Sequence, residues 1–232
     1  MSGTSVDRIV FLYAFGPCVV VGALMSVDVG RPSAPALGEW RRVLSMLPET
    51  FTFAQARSGG LSKHAVYWLR DAGQIEVLGR GLYRQAGAEP ADLGLIAIAV
   101  KAPSATLCLS TALVRHGLSD AIPAAPEVAL PRGARAPAVD LPVTWHQFDR
   151  ATFDVGRGSS PVDATTSIGL YSAERSIIDA FRLRGTEGPE LGYEALRRWL
   201  RRTGTHPQQL VAMAGNWPRV LPAVRHALEV LL

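Results

Sequence analysis

The chain has 232 residues, which is enough for two modest domains. Hydrophobic residues make up 48% of it and its formal net charge is +4, so the composition argues against wholesale disorder and against a protein that coats nucleic acid through charge alone. The two cysteines, Cys18 and Cys108, lie far apart, and no Cys/His spacing is typical of zinc. We therefore expect neither a disulfide framework nor a zinc finger, and we expect a cytoplasmic protein.

Positive charge is concentrated in one segment. Residues 40–88 contain seven cations and three anions, and this surplus of four equals that of the whole chain. The local surplus predicts that phosphate groups are contacted here.

The first 35 residues are predicted to be an extension. Residues 9–25 are almost wholly apolar, at the short limit for a membrane span, and Gly16-Pro17 interrupts them. Three interpretations are open: a secretory signal or anchor, an extra helix or strand packed on the body, and a start codon assigned too early. We favour the last, with Met25 or a nearby valine as the start, because a nucleic-acid-binding segment downstream has no use outside the cell.

Residues 37–72 carry the pattern of a helix-turn-helix. Apolar residues fall on one helical face over residues 37–47, and a second, short helix is predicted over residues 52–56. Ser62 is placed to cap a third helix over residues 63–72, and Gly73 is placed to end it.

A β-hairpin follows the third helix. Strands are predicted over residues 75–78 and 82–84, and Arg80 lies between two glycines at the turn. A polar helix face beside an arginine-tipped hairpin is typical of a winged helix, in which the helix enters the major groove and the hairpin meets phosphates. We predict that the following residues contact DNA: Ser62, Lys63, His64, Tyr67, Trp68, Arg70, Arg80 and Arg84.

Each of these residues also has a structural interpretation. The polar helix face can be a solvated surface, with Trp68 packed against the wing. Arg84 can pair with Glu76 across the hairpin instead of contacting phosphate. His64 has no second ligand nearby, so no metal site is predicted.

Residues 87–90 are predicted to form a domain boundary. The chain is then divided into an extension (1–35), a winged helix-turn-helix domain (36–87) and a C-terminal domain (90–232). In the C-terminal domain, helices are predicted over residues 91–101, 104–116, 191–200, 208–214 and 220–231, and a further helix is predicted to begin at residue 172. Strands are predicted over residues 127–130, 143–145, 152–155 and 166–168. Loops are predicted at residues 132–135 and 156–160. This order predicts an α+β fold: an N-terminal winged helix-turn-helix followed by a mixed α/β C-terminal domain with a helical tail.

No enzyme motif is present in the sequence: there is no nucleophile elbow, phosphate loop, HExxH or Rossmann fingerprint. Glu174 and Asp179 are candidates for a carboxylate pair, but we favour a helix start with an internal Arg175–Asp179 pair at i, i+4. His116 precedes Gly117 at a helix end, where a structural role is favoured. We therefore predict no catalytic residue, no cofactor and no metal.

A second basic surface is possible on one C-terminal helix. It consists of Arg197, Arg198, Arg201 and Arg202. These side chains form either a solvated helix face or a site for RNA, a partner protein or DNA outside the main contact.

Three segments resemble AbiEi-type antitoxins, in the order in which that family carries them. They are the helix-turn-helix ending in GQIEVLGRGLYR, the stretch LCLSTALVRHGLSDAIP with PEVALPRGAR after it, and the helix YSAERSIIDAFRLR. The resemblance runs from about Trp40 to the C-terminus. It implies a bacterial type IV toxin–antitoxin operon, whose antitoxin represses the shared promoter at inverted repeats of operator DNA and counteracts a nucleotidyltransferase-like toxin without a stable complex.

Three rival functions are open. One is a stand-alone transcriptional regulator without a toxin partner, which the neighbouring gene would distinguish. Another is an enzyme that cuts or modifies nucleic acid and is targeted by the winged helix. The third is a module that binds only other proteins. A neutral outward face on the third helix would favour that function, but this face is charged.

Overall fold

The computed structural model describes residues 34–89 and 91–232. The interpretations of the apolar stretch at residues 9–25 fall outside this range. Within it, no helix is long and apolar enough to cross a membrane.

Three helices form the predicted helix-turn-helix. Their bounds are Ala34–Met46 for α1, Phe53–Ser58 for α2 and Lys63–Asp71 for α3. Thr52 caps α2 through a reciprocal pair of bonds: its Oγ1 accepts from Gln55 N at 3.2 Å, and its own backbone amide donates to Gln55 Oε1 at 2.7 Å. After α3, Gly73 turns the chain with a φ of +67°, a conformation that glycine adopts without strain.

The predicted hairpin is part of a three-stranded antiparallel sheet. Its strands are β1 (Thr50–Thr52), β2 (Ile75–Gly79) and β3 (Leu82–Gln85), in the order β1-β3-β2. The sequence did not predict β1, because three residues are too few to show an alternation. Phe51 and Tyr83 stack at 5.9 Å between ring centroids, and together with inward residues of α1 and α3 they form the core of this module.

The rest of the described chain is built on a mixed five-stranded sheet with the order β6-β5-β4-β8-β7. The elements up to the last strand are α4 (Leu93–Lys101), β4 (Thr106–Leu107), α5 (Leu109–Arg115), β5 (Glu127–Pro131), β6 (Thr144–Phe148), β7 (Arg157–Pro161) and β8 (Ser167–Tyr171). Strand β4 pairs antiparallel with β5 and parallel with β8, and so lies at the centre of the sheet.

The structure corrects the helix that was predicted to begin at Ser104. The first half of that segment is the central strand β4, and α5 begins only after Cys108. Thr106 and Leu107 are fully buried and bond to strands on both sides. A short apolar run has the same composition in a buried strand and in a buried helix, so only its partners decide between them.

Two further predictions are wrong in the same region. Residues 152–155, predicted as a strand, form the end of a 3₁₀ helix (Arg150–Thr152) and a turn. Residues 156–160, predicted as a loop, instead belong mainly to β7, which pairs with β8 at one edge of the sheet as the described residues form it. The strand is polar, contains glycine and has no buried residue, so it lacks the apolar alternation from which a strand is predicted.

Helices follow the sheet as the predicted tail, and the last three of them pack on the first. They are α6 (Ala173–Arg182), the unpredicted one-turn α7 (Arg184–Glu187), α8 (Glu190–Leu200), α9 (Pro207–Ala214) and α10 (Leu221–Leu231). Helix α6 lies at the centre, since the largest buried cluster joins its apolar face to α5, α8, α9 and α10. The fold is therefore α+β, with a winged helix-turn-helix first and a mixed α/β part with a helical tail after it.

Candidate nucleic-acid interface

Helix α3 is held by its inner face and by its cap. Ala65, Val66 and Leu69 are fully buried in the module's core. Ser62 is the N-cap residue, as predicted: its Oγ accepts a hydrogen bond from Ala65 N at 3.0 Å. One face of α3 is thus fixed in the core, and the opposite face is exposed to solvent.

The outward side of α3 carries cations around an exposed aromatic ring. Lys63, His64, Tyr67 and Arg70 are all exposed. Lys63 Nζ and Arg70 Cζ lie 5.5 and 5.1 Å from the centre of the Tyr67 ring, so the two charges flank the ring. Arg70 also pairs with the exposed Asp71 at 2.6 Å, a solvent-screened contact that DNA phosphate can replace.

Trp68 lies at the margin of this surface. It is half-buried, and its ring packs against Trp40 of α1 at 5.9 Å between centroids. Trp40 also meets the ring of His64 edge-on at 5.9 Å. Trp68 therefore supports the position of α3 against α1. It also packs on the buried core of the module, to which the wing contributes Ile75 and Tyr83.

Arg80 stands at the tip of the wing and is exposed. The glycines on either side have φ values of +155° and +71°, which a residue with a side chain rarely adopts. The wing also approaches the second part of the chain, since a Cβ placed on Gly79 would lie 3.2 Å from Asp140 Oδ2 and 3.3 Å from Lys101 Nζ. The arginine thus projects from a turn with limited freedom to move.

Arg84 is not at a DNA-accessible surface, which corrects its prediction as a contact residue. Its side chain is 4% exposed, and its guanidinium donates to Asp163 Oδ2 and Thr50 Oγ1, each at 2.8 Å, and to Glu89 O at 2.7 Å. Glu49 adds a weaker contact at 3.4 Å. The alternative pairing with Glu76 is wrong as well: Glu76 lies opposite Arg84 in the strand register, but it is exposed and the arginine turns inward.

The burial of Arg84 leaves the charge of the module's surface unchanged. Glu49, one of its partners, is itself only 25% exposed, so one cation and one anion are withdrawn together. The remaining six cations of the segment and the remaining two anions are exposed: Arg41, Arg42, Arg57, Lys63, Arg70, Arg80, Asp71 and Glu76. The surface keeps the surplus of four that the sequence indicated.

The four arginines of the predicted second surface do not act as one group. Arg198 pairs with Asp120 at 2.6 Å and with Glu194 at 2.7 Å, and Arg202 donates to the carbonyl of His116. Arg197 and Arg201 are exposed and line an open groove of about 780 Å³ on α8, together with Arg198, Glu190 and Glu194.

The candidate carboxylates of α6 have structural partners. Arg175 donates to Asp179 Oδ2 at 2.9 Å, both side chains being 0% exposed, and Glu174 accepts from the indole of Trp199 at 3.2 Å. His116 Nε2 lies 2.7 Å from the carbonyl of Tyr171. These contacts match the structural interpretation of each residue.

One constellation escaped the sequence prediction. Glu127, His146 and Glu187 come together from β5, β6 and the end of α7, although up to 60 residues separate them in the chain. Burial raises the pKa of Glu187, and the charge of Glu127 raises it further. Burial alone would also raise the pKa of Glu127, but His146 and Ser110 outweigh it and hold that pKa below its ordinary value. No spacing motif marks the three residues, because each lies on a different element.

Comparison with known proteins relates the winged helix-turn-helix to a family of regulators. Residues 41–85 match the model of a family described as "Transcriptional regulator, AbiEi antitoxin", which confirms the resemblance to AbiEi-type antitoxins over the helix-turn-helix and the hairpin. The two later segments that carry the resemblance lie outside the match. A solved structure, the RV2827C protein from Mycobacterium tuberculosis, is 18% identical and has a TM-score of 0.48 over 82% of this chain and 81% of that chain; so distant a likeness supports no statement about function. A search of curated proteins finds no match.

Proposed function

We propose that this chain, whose residues 41–85 match a family of antitoxin regulators, is the DNA-binding antitoxin of a bacterial type IV toxin–antitoxin system. In this proposal residues 36–87 repress the chain's own operon, and residues 90–232 counteract a nucleotidyltransferase-like toxin in the cytoplasm. The observation that carries the DNA-binding part is the outward face of α3, where Lys63, Tyr67 and Arg70 are exposed together within a surface of net positive charge.

The proposed contacts divide into two kinds. Lys63 and His64 occupy the first turn of α3, the end of a recognition helix that reaches base edges. Arg80 at the wing tip contacts phosphate, which carries no sequence information. Neutralising about four to six phosphates would make the affinity fall steeply with salt concentration.

DNA binding is tested by fluorescence anisotropy with the promoter fragment upstream of the chain's own gene and a scrambled fragment of equal length. We expect Arg80→Ala to weaken binding to both fragments alike, and Lys63→Ala to reduce the preference for the promoter by about 1–3 kcal/mol per lost base contact. The matched control is Arg225→Ala, which removes an exposed arginine from α10 in the other part of the chain.

Two outcomes would contradict the DNA assignment. One is equal affinity of wild type, Arg80→Ala and Lys63→Ala for the promoter. The other is a loss of affinity in Arg225→Ala as large as that in Arg80→Ala, since general charge and not the winged helix would then control binding.

The antidote activity is tested separately, by growth of cells that express the adjacent gene together with this chain. We expect the full chain with both Lys63→Ala and Arg80→Ala to restore growth as well as wild type does, because the proposal assigns the antidote to residues 90–232. If growth is restored only by the DNA-binding form, repression alone explains the effect. If the adjacent gene is harmless, the antitoxin proposal is wrong and a stand-alone winged-helix regulator replaces it.

Arg197 and Arg201 are proposed as the place where the second part meets an acidic partner or RNA. They line an open groove together with Tyr193, and Arg198 and Arg202 have other partners. Reversing both charges, with Arg197→Glu and Arg201→Glu, should abolish growth rescue while leaving promoter binding intact.

A further inference from the structure

Three metal-binding side chains converge on one point beside the central sheet. Glu127 begins β5, His146 lies in the middle of β6 and Glu187 ends α7. One ligand atom from each lies within 4.8 Å of the others, and His146 Nε2 is 3.5 Å from Glu127 Oε1. Bonds of about 2.0–2.2 Å to one ion would place two ligand atoms about 3–4 Å apart, so small rotations of the terminal groups would bring these three atoms to the distances that an ion requires.

Two of the ligand atoms face each other without a hydrogen bond between them. His146 Nε2 is buried and has no hydrogen-bond partner within the described part of the chain. The Glu127 side chain is 9% exposed, and its Oε1 faces the imidazole at a distance longer than a hydrogen bond. A buried polar atom without a partner is rare and requires an explanation.

The other oxygen of Glu127 is held in place. Its Oε2 accepts the backbone amide of Ser110 at 2.7 Å and also the Ser110 hydroxyl. This leaves Oε1, the oxygen that faces His146, without a hydrogen bond from Ser110. Metal-binding carboxylates are commonly oriented by such outer hydrogen bonds.

Two arginines line the cavity of about 290 Å³ beside His146. A terminal nitrogen of Arg182 lies 3.1 Å from Asp179 Oδ1, although its Nε has no hydrogen-bond partner in the described part of the chain. Arg132 is 71% exposed and lies 3.8 Å from Asp149. Among the described residues neither arginine forms an ion pair with Glu127 or Glu187, so a divalent cation held by the three side chains would neutralise both carboxylates.

We propose that Glu127, His146 and Glu187 bind a divalent transition-metal ion, for which Zn²⁺ is the best match. One imidazole and two carboxylates are ligands that zinc accepts, whereas Mg²⁺ and Ca²⁺ prefer oxygen ligands throughout. Three protein ligands would leave a fourth position for water or another ligand. His146 also lines a cavity together with Arg182. This inference does not depend on DNA binding or on a toxin.

The competing explanation is a plain ion pair between a protonated His146 and Glu127. It needs only two of the three residues and gives Glu187 no part. The substitution Glu187→Gln therefore separates the two: it keeps the size of the side chain, leaves the His146–Glu127 contact untouched and removes one metal ligand.

The experiment is isothermal titration of Zn²⁺ into the full chain after treatment with a chelator and its removal. We expect one equivalent to bind to wild type, and both Glu187→Gln and His146→Ala to weaken binding by about 100-fold or more, beyond the 10–100-fold typical of outer-shell changes. The matched control is His226→Ala on α10, because His226 also stands near a carboxylate, with Nδ1 3.9 Å from Glu229, but on the surface. It should bind Zn²⁺ as wild type does.

Thermal unfolding supplies a second readout. Zn²⁺ should raise the melting temperature of wild type and of His226→Ala, but not that of Glu187→Gln, since only an ion bound to the native state stabilises it. Circular dichroism without metal establishes that each variant is folded. The proposal is overturned if wild type binds no Zn²⁺ at millimolar concentration, or if Glu187→Gln binds it as tightly as wild type.

Discussion

Removal of the Arg84 guanidinium tests whether this residue stabilises the fold or contacts DNA. In the structure it donates to Asp163, Thr50 and Glu89 at 2.7–2.8 Å, and the Asp163 side chain is only 2% exposed. The substitution Arg84→Ala leaves that carboxylate buried without its cation. Breaking a buried pair by removing one partner lowers the free energy of unfolding by about 3–5 kcal/mol.

The structure indicates where in this range the effect falls. Asp163 keeps three hydrogen bonds after the change, because its Oδ1 also accepts the backbone amides of Thr165 and Thr166 at 2.8 and 2.6 Å and the Thr165 hydroxyl at 3.2 Å. Thr50 and Glu89 lose a donor, which adds to the loss. We expect a decrease of about 4 kcal/mol and a fall of about 10–15 °C in the melting temperature.

The assay is urea unfolding followed by the fluorescence of the five tryptophans. Arg80→Ala is the matched control and should change the free energy of unfolding by no more than about 0.5 kcal/mol, since Arg80 is exposed. A double-mutant cycle with Asp163→Ala isolates the pair, and we expect a coupling energy of about 2–3 kcal/mol.

The reasoning would be refuted by the opposite pattern in the two variants. Suppose that Arg84→Ala leaves the free energy of unfolding within about 1 kcal/mol of wild type but weakens promoter binding as much as Arg80→Ala does. The guanidinium would then lie at the DNA, as the sequence first predicted, and not in the contact with Asp163.

Two further predictions concern the cap of α3 and the pH dependence of stability. Ser62→Ala should lower the free energy of unfolding by about 1 kcal/mol, because the Ala65 amide loses its acceptor; an unchanged urea midpoint would contradict the cap. For Asp163, burial alone would raise the pKa, but hydrogen bonds from the Thr165 amide and Arg84 outweigh it, so the pKa lies below its ordinary value. A lowered pKa contributes stability that is present above about pH 4, the unfolded value, and is lost as pH falls through the folded pKa. The stability difference between wild type and Asp163→Asn should therefore shrink below that pH in unfolding curves from pH 2 to 6, and a constant difference would show that the ionised carboxylate is not favoured by the fold.

The amino-acid sequence by itself determined the elements whose signals are local. The cap at Ser62, the left-handed glycine after α3 and the glycines around Arg80 each depend on a few neighbouring residues. Caps and turns depend on residues that are close together in the sequence. The sequence therefore predicted the positions of the winged helix and of the exposed face with Lys63 and Tyr67 correctly.

The tertiary structure alone decided the features that depend on distant partners. Thr106 is in a strand because β5 and β8 lie on either side of it, and Arg84 is buried because Asp163, 79 residues away, meets its guanidinium. His146 finds its two carboxylates only when β5 and α7 are brought beside β6. In each case a polar or charged group would be costly to bury without a partner, and a distant residue supplies that partner. A sequence pattern does not show which residue this will be.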